Sequence, residues 1–286
     1  MMNLLSKLKS QKNFSNNEQI IIDFILKNPI EILDMTPKEL SQKCYVSVAT
    51  IYRLCEKLNL SGFSDLKVKI SNSIHNYQKE NEEFDFDFPI KESQTHYEII
   101  NKLKEDYEKT LISTANMFNL DQLKFAVQAM KRAQNIDIYT SAGNIYFSEN
   151  FKFQMKEIGV DVNVPVEEYQ QRLSAACSDK NHLAIIISFG GRGLLINTIF
   201  KTLKDTHTPI LLLSSCEMVT KDIKPDYHLY ISPYENHYKK ISSFSTRMSI
   251  LYILDVLYTC YFEMNYQDNL NKKIDFYRIM AKGYTK

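Results

Sequence analysis

Five short apolar runs in the second half of the chain constrain its fold most strongly. They are IDIYT (136–140), VDVNV (160–164), LAIIIS (183–188), PILLLS (209–214) and YHLYI (227–231). Segments of helix length lie between or after them, at 144–158, 167–177, 191–205 and 240–264. Short apolar strands that alternate with helices form βαβ units around a parallel sheet that is buried on both faces. The sequence therefore predicts an α/β domain with a five-stranded parallel sheet, flanked by helices and joined by right-handed crossovers.

A different pattern occupies the first 77 residues, centred on TPKELSQKCYVSVATIYRLCEKLNLSGFSDLK (36–67). Thr36 and Glu39 form a capping box with proline at the first helical position, and Ser15 and Glu18 form another, so a helix is expected after each. Ser47 is placed to cap a further helix. The small and apolar positions that follow the first of these boxes are Leu40, Ser41, Cys44, Val46, Ile51, Leu54 and Leu58. This spacing predicts two short helices packed across a tight turn, a helix-turn-helix in an all-α domain.

The second helix of this motif has a face suited to reading DNA. Once Ile51, Leu54 and Leu58 point to the core, the 3.6-residue period determines the opposite side. That side carries Ser47, Val48, Thr50, Tyr52, Arg53 and Lys57. Small, hydroxylated, aromatic and basic side chains are what a major-groove helix needs, and Arg53 is suited to bidentate contact with a guanine. We predict that these residues bind operator DNA; the competing interpretation is an ordinary three-helix packing unit.

Tyr45 stands in the turn, where helix-turn-helix proteins usually carry glycine. A positive φ at this position would strain a non-glycine residue by about 1 kcal/mol or more. The sequence leaves two alternatives: the turn is of another type, or contacts with neighbouring groups hold Tyr45 in place.

Charge changes along the chain and indicates where domains begin. Residues 1–76 contain ten Lys and Arg against seven Asp and Glu, which is +3, whereas the whole chain is +1. The following segment, KENEEFDFDFPIKES (79–93), is acidic and lacks helical periodicity, which indicates a linker. Its alternating phenylalanines favour an extended segment lying against a neighbour. We predict a DNA-binding domain at 1–77, a linker at 78–95 and an effector and dimerisation domain at 96–286.

Composition excludes several classes of protein. The 286 residues are 44% hydrophobic and 24% charged, as in an ordinary globular protein. The N-terminus lacks the apolar core of a signal peptide, and SILYILDVLYTCYF is too short to cross a bilayer, so we expect a cytoplasmic protein with no membrane partner. The five cysteines are scattered, which is typical of a reducing compartment. No histidine pair has metal-binding spacing, so neither a metal site nor a cofactor is expected.

The segment FILKNPIEILDMTPKELSQKCYVSVATIYRLCEKLNLSGFSDLKVKI resembles the N-terminal domain of the RpiR/MurR-type bacterial transcription regulators. In that family a helix-turn-helix domain precedes a SIS (sugar isomerase) domain, which is a five-stranded parallel sheet flanked by helices. The resemblance implies transcription regulation through operator DNA, with the chain acting as a homodimer or homotetramer. It also implies that a phosphosugar effector binds to the SIS domain.

Two loops would form the effector site that the resemblance implies. SAGNIYFSENF follows the first strand and FGGRGLL the third, at the sheet edge where open α/β proteins bind ligands. The ligand-binding residues carried over in this way are Ser141, Gly143, Asn144, Ser188, Gly190, Gly191, Arg192 and Gly193. The family's loop reads Ser-x-Ser-Gly-x-Thr, so Gly190 and Gly193 replace two hydroxyl groups here.

The loss of two hydroxyl donors would weaken phosphate binding by roughly 1–3 kcal/mol. Glycine N–H groups and the Arg192 guanidinium are able to offset that loss. Retained and altered phosphate binding both stay open on the sequence.

Two other functions are compatible with the same pattern. A sugar-phosphate isomerase would need a general base, and Glu149, Glu167, Glu168 and His182 are available, but none lies in a motif. We therefore predict that the chain is not an enzyme and has no catalytic residues. Alternatively, the SIS domain serves only for dimerisation, because 241–264 is apolar over much of its circumference, as in a helix buried in a core or a subunit interface.

Overall fold

The computed structural model describes residues 4–5, 8, 14–29, 31–78, 85–191, 194–215, 218, 224–236 and 239–282. The chain divides into two compact units. The N-terminal unit contains residues 1–119 and 232–249, and the sheet unit contains residues 120–231 and 250–286. The domain limits predicted from the sequence, 1–77, 78–95 and 96–286, stay a prediction.

Helices form the N-terminal unit. They are α1 (Asn16–Lys27), α2 (Pro37–Lys43), α3 (Val48–Lys57), α4 (Phe63–Gln78) and α5 (His96–Asn116), with a 3₁₀ turn at Glu31–Asp34. Both predicted capping boxes are present: the Thr36 hydroxyl accepts a hydrogen bond from the Glu39 N–H, and the Glu39 carboxylate accepts one from the Thr36 N–H. Ser15 and Glu18 make the same reciprocal pair. The helix starts inferred from local sequence are therefore confirmed.

The helix-turn-helix prediction is confirmed by the burial of its apolar positions. Leu40, Ile51 and Leu54 have no exposed surface, and Cys44 and Leu58 are 4% exposed. These side chains share one core with apolar residues of α1 and α4, among them Ile21, Ile25 and Leu66. Because Ile51 and Leu54 are buried on one side of α3, the opposite side of that helix is left in solvent.

The segment after α4 packs within the same unit. Phe86 stacks on Tyr234 with ring centroids 4.5 Å apart, and the Ile241 N–H donates to the Asp87 carbonyl at 2.8 Å. The expectation that its phenylalanines lie against a neighbour is met by Phe86, whereas Phe88 is exposed and Phe84 is outside the described residues.

The sheet unit alternates strands and helices as predicted. Its elements are α6 (Leu120–Arg132), β1 (Asn135–Tyr139), α7 (Asn144–Lys156), β2 (Val162–Asn163), α8 (Glu168–Cys177), β3 (His182–Ile187), α9 (Leu194–Asp205), β4 (Ile210–Ser214), β5 (Tyr227–Tyr230), α10 (Phe244–Glu263, shared between the units) and α11 (Tyr266–Ala281). The strands form one five-stranded sheet in the order β2-β1-β3-β4-β5, with every pairing parallel. The predicted fold class is therefore confirmed.

Two elements differ from the prediction. β2 is shorter than VDVNV, with only Val162–Asn163 paired to β1 at the edge of the sheet. α11 was not predicted; Asn269 is its only buried residue among those described, and its apolar side chains Ile274, Tyr277 and Met280 are exposed.

α10 is apolar over much of its circumference because part of it lies in a core. Ile250, Ile253, Leu254 and Leu257 are at most 1% exposed within the sheet unit. Burial in the core of the sheet unit therefore explains many of the apolar residues of 241–264, for which a subunit interface was the alternative explanation.

Candidate functional site

α3 begins at a cap that the sequence specifies locally. The Ser47 hydroxyl accepts a hydrogen bond from the Thr50 N–H at 3.2 Å, and the two hydroxyl oxygens lie 2.9 Å apart. The side-chain cap satisfies one of the free N–H groups of the first turn. The first turn of α3, which would enter the major groove of DNA first, is therefore held in a defined conformation.

The outer face of α3 is open to solvent. Ser47 and Arg53 are exposed, Val48 is 37% exposed, Tyr52 is 46% exposed, and Thr50 is half-buried. The structure adds Ala49, exposed and four residues before Arg53, which the sequence reasoning missed although the helical period places it there. Small side chains beside a basic one let a helix approach base edges closely.

Lys57 has a partner inside the unit. Its Nζ donates to the Glu18 carboxylate at 2.6 Å, and the Glu18 side chain is only 4% exposed. Burial raises the pKa of Glu18, but hydrogen bonds from Lys57 and Ser15 outweigh that effect and hold the pKa below its usual value. The ammonium of Lys57 thus compensates a buried carboxylate, whereas Arg53 makes no ion pair within the described part of the chain.

Tyr45 adopts the conformation expected of a glycine. Its φ is 54°, and its side chain is 96% exposed. The turn closes through hydrogen bonds from the Tyr45 N–H to the Gln42 carbonyl (3.3 Å) and from the Val46 N–H to the Ser41 carbonyl (3.0 Å). The alternative of another turn type is wrong, because the positive φ is present; the contacts that hold Tyr45 are these backbone hydrogen bonds, since its ring is exposed.

The second candidate region lies where the strand order changes direction. From β1 the chain moves to β2 on one side and then to β3 on the other, so the loops after β1 and β3 flank a topological switch point. Tyr139 pairs with Ile186, and Ser141 and Ser188 each lie two residues further along. The Thr140 hydroxyl donates to the Ile187 carbonyl at 2.9 Å and ties these strand ends together.

The loop after β1 is open and makes few side-chain contacts. Ser141 is exposed, and its hydroxyl has no partner in the described part of the chain. Gly143 precedes α7 with an ordinary helical φ of −62°, and a Cβ added to it would meet nothing within 4 Å. Asn144 begins α7 and donates its N–H to the Ser141 carbonyl at 3.3 Å. The Ile145 N–H likewise donates to the Ala142 carbonyl at 3.2 Å, so the first two N–H groups of α7 are used within the loop.

The loop after β3 is held tightly. The Gly191 N–H donates to the Ser188 hydroxyl at 3.2 Å, and the Ser215 N–H and hydroxyl both donate to the Phe189 carbonyl. Gly191 has a φ of 63° and lies against Met218, so an added Cβ would be 2.6 Å from Met218 Cε. Gly190 is half-buried in this turn, while Arg192 and Gly193 lie outside the described residues.

Gln171 of α8 also belongs to this edge, although no motif in the sequence pointed to it. Its Nε2 donates to the Thr140 carbonyl at 2.8 Å, directly before Ser141. Its Oε1 is buried and has no hydrogen-bond partner among the described residues. The Gln171 side chain therefore holds the end of β1, at Thr140, to the start of α8.

The residues considered for isomerase chemistry lie in different places: Glu167 and Glu168 come from the same end of the sheet as these loops, since Gln171 of their helix donates to both the Val166 carbonyl (3.4 Å) and the Thr140 carbonyl. Glu167 and Glu168 are exposed at the start of α8, and Glu149 pairs with Lys152 at 3.2 Å. His182 begins β3, at the opposite end of that strand from Ser188, and lies 2.9 Å from the Asp179 carboxylate. No group of three or more His, Cys, Asp or Glu residues in the described ranges could hold a metal ion.

Two family models match the chain in the order of these two regions. The model described as the helix-turn-helix domain of the rpiR family matches residues 2–77, and the SIS domain model matches residues 129–260. No helix within the described ranges has the length and apolar character to span a membrane.

Known proteins are similar to all or part of the chain. An uncharacterized HTH-type transcriptional regulator of Caldanaerobacter subterraneus subsp. tengcongensis is 25% identical over 262 residues, which cover 90% of this chain and 89% of that protein. Vibrio vulnificus NanR, solved as a complex with ManNAc-6P, is similar in fold with a TM-score of 0.57, 17% identity and 98% coverage of each chain. The sugar isomerase domain of an RpiR transcription factor from Sphaerobacter thermophilus gives a TM-score of 0.54 at 13% identity, over 65% of this chain and 99% of that one.

Proposed function

We propose, from the premise that this chain belongs to the rpiR family of helix-turn-helix transcription regulators with a SIS domain, that α3 reads operator DNA and that the β1–β3 edge binds a phosphosugar effector. The observation that carries the DNA half is the outer face of α3. It is solvent-exposed and carries Arg53, which has no ion pair within the described residues. The residues proposed to contact DNA are Ser47, Val48, Thr50, Tyr52, Arg53 and Lys57.

Within this set Arg53 and Lys57 have different roles. Arg53 is free to reach a base edge, where a guanidinium recognises guanine through two hydrogen bonds. The ammonium of Lys57 already pairs with the Glu18 carboxylate. Lys57 therefore contacts a DNA phosphate at the groove edge while it keeps that ion pair, and it does not read a base.

Replacing Arg53 with alanine is expected to weaken binding about 10- to 100-fold to the duplex that the purified wild-type protein enriches from a random-sequence library. Binding to an unrelated duplex should change much less, because a base contact is lost. Fluorescence anisotropy at several salt concentrations measures both affinities, and affinity should fall as salt rises.

Arg132→Ala is the matched control, since it removes the same charge from the exposed end of α6. Equal affinity of wild-type protein and Arg53→Ala for the enriched duplex would contradict the role of Arg53. Failure of the wild-type protein to enrich any duplex would contradict the proposed function.

The effector half is supported by the switch point and by two helix starts beside it. α7 and α9 begin after β1 and β3, and N–H groups at helix starts favour a phosphate. NanR, which has the same fold, was solved with ManNAc-6P. The proposed ligand-binding residues are Ser141, Gly143, Asn144, Ser188, Gly190 and Gly191, with Arg192 and Gly193 from outside the described part.

A sugar 6-phosphate that binds this edge is expected to raise the melting temperature. At ten times its dissociation constant it adds about 1.4 kcal/mol to the free energy of unfolding. A thermal-shift panel should include ManNAc-6P, other sugar phosphates and the matching unphosphorylated sugars as controls. Ser141→Ala should reduce the shift without lowering the stability of the free protein, because that hydroxyl makes no hydrogen bond within the described ranges. No shift with any phosphosugar would favour a SIS domain that serves only for assembly.

The remaining parts of the proposal concern organisation. We propose the domain limits 1–77, 78–95 and 96–286, assembly as a homodimer or homotetramer, and action in the cytoplasm as a regulator and not as an enzyme. A symmetric dimer would present two copies of α3 to half-sites about one DNA turn apart.

A further inference from the structure

We propose that Tyr45, in the turn before α3, donates a hydrogen bond from its hydroxyl to a phosphate of the bound DNA. This inference deepens the proposed function and depends on it. Tyr45 lies outside the set of residues proposed on α3, and its proposed partner is the DNA backbone. The contact would therefore affect the affinity of the protein for any duplex, whatever its sequence.

The backbone of Tyr45 is unfavourable for a tyrosine. With φ at 54° its Cβ is crowded against the backbone, which glycine would avoid. Strain alone does not identify a site, because Asn59, Ser93, Ala142 and His207 also have positive φ values. Asn59 is of a residue type that tolerates this conformation, and Tyr45 is not.

The side chain of Tyr45 contributes nothing visible to the free protein. It is 96% exposed, the highest value among the exposed large apolar side chains of the described residues. Its hydroxyl has no hydrogen-bond partner within the described ranges. A tyrosine usually contributes by burying its ring and pairing its hydroxyl, and neither occurs here. Glycine would therefore serve the free protein better, so the tyrosine is explained by a bound state.

The position of Tyr45 identifies the partner. It lies two residues before Ser47, whose hydroxyl caps the start of α3, and the start of α3 is the end that enters the major groove. Groups just outside that end reach the sugar–phosphate strand at the groove edge. Tyrosine hydroxyls are among the side-chain donors that bind phosphate oxygens in protein–DNA complexes.

The test compares Tyr45→Phe and Tyr45→Gly with wild-type protein on the enriched duplex and on an unrelated duplex. Tyr45→Phe keeps the ring and the backbone strain and removes only the hydroxyl. It should leave the melting temperature unchanged. It should weaken binding to both duplexes about tenfold, since phosphate contacts are independent of sequence. The salt dependence should keep its slope, because no charge is lost. Tyr45→Gly should be at least as stable as wild type and bind both duplexes at least as weakly as Tyr45→Phe.

Tyr97→Phe is the matched control, because Tyr97 is also an exposed tyrosine of the N-terminal unit, 76% exposed, at the start of α5. Wild-type affinity of Tyr45→Phe for both duplexes would overturn the inference. A loss confined to the enriched duplex would overturn it as well, since it would indicate a base contact. If Arg53→Ala loses affinity while Tyr45→Phe does not, only the role of Tyr45 fails; if the wild-type protein binds no DNA, the proposed function fails with it.

Discussion

Lowering the pH from about 6.5 to about 4 is expected to reduce the free energy of unfolding by about 2–3 kcal/mol through one residue, His228 of β5. Burial lowers the pKa of His228 from 6.5 to about 4. Its Nε2 lies 2.9 Å from the Ser214 hydroxyl, its ring packs on Tyr230, and its backbone N–H donates to the Gln122 Oε1. The imidazole is therefore neutral in the folded sheet unit at neutral pH.

The direction of this stability change follows from the protonation of His228 in the folded and the unfolded chain. Below about pH 6.5 the unfolded histidine takes up a proton, whereas the folded one remains neutral until about pH 4. The stabilisation is complete above the unfolded pKa and decreases as the pH falls through this window.

Urea unfolding at a series of pH values measures the effect. His228→Gln keeps an amide near the Ser214 hydroxyl and removes the titrating ring, so it should lose less stability than wild type between pH 6.5 and 4. His96→Gln, at the exposed start of α5, is the control for removing a histidine. The same pH dependence in wild-type protein and His228→Gln would contradict the assignment.

Gly191→Ala is expected to lower the free energy of unfolding by about 2–3 kcal/mol. A φ of 63° disfavours any residue with a Cβ by about 1–2 kcal/mol, and the new methyl group would collide with Met218, whose Cε would lie 2.6 Å away. The loop between Ser188 and Gly191 would have to move, so phosphosugar binding should weaken with stability. Chemical unfolding and the thermal-shift panel measure both.

A double variant separates the two causes. Gly191→Ala combined with Met218→Ala should remove the part of the stability loss that is due to the collision with Met218. The part that is due to the positive φ should remain, and the coupling energy between the two substitutions should be about 1 kcal/mol. Gly143→Ala is the matched control: its φ is −62° and a Cβ there meets nothing within 4 Å, so it should have little effect. Equal stability of Gly191→Ala and Gly143→Ala would show that the loop is not constrained as described.

The starts of the first helices were predictable because they depend on contacts within four residues. Thr36 with Glu39, and Ser47 with Thr50, are recognisable pairs in the sequence, and both are present. The core of the helix-turn-helix followed from the spacing of Ile51, Leu54 and Leu58, since a helix repeats every 3.6 residues. The exposed face of α3 was therefore predictable from the local sequence alone.

The same local reasoning could not identify partners distant in sequence. The ion pair of Lys57 with Glu18 joins residues 39 positions apart, and Met218 meets Gly191 across a loop. Gln171 supports Thr140 from another helix, in a segment without a motif. The φ of Tyr45 was the one strain that the sequence raised, and only the structure showed that the ring is exposed.

The sequence by itself determined that an all-α helix-turn-helix region precedes an α/β domain. It also determined the positions of the strands along the chain and the face of α3 that points to solvent. These follow from capping, helical period and runs of apolar residues, which are local properties. The tertiary structure decided that β1 and β3 lie side by side, which brings the loop of Ser141 next to the loop of Ser188. It also decided that Gly191, unlike Gly143, must be glycine, because only the folded chain places Met218 against it. Strand neighbours and packing depend on non-local contacts, and no short stretch of sequence contains them.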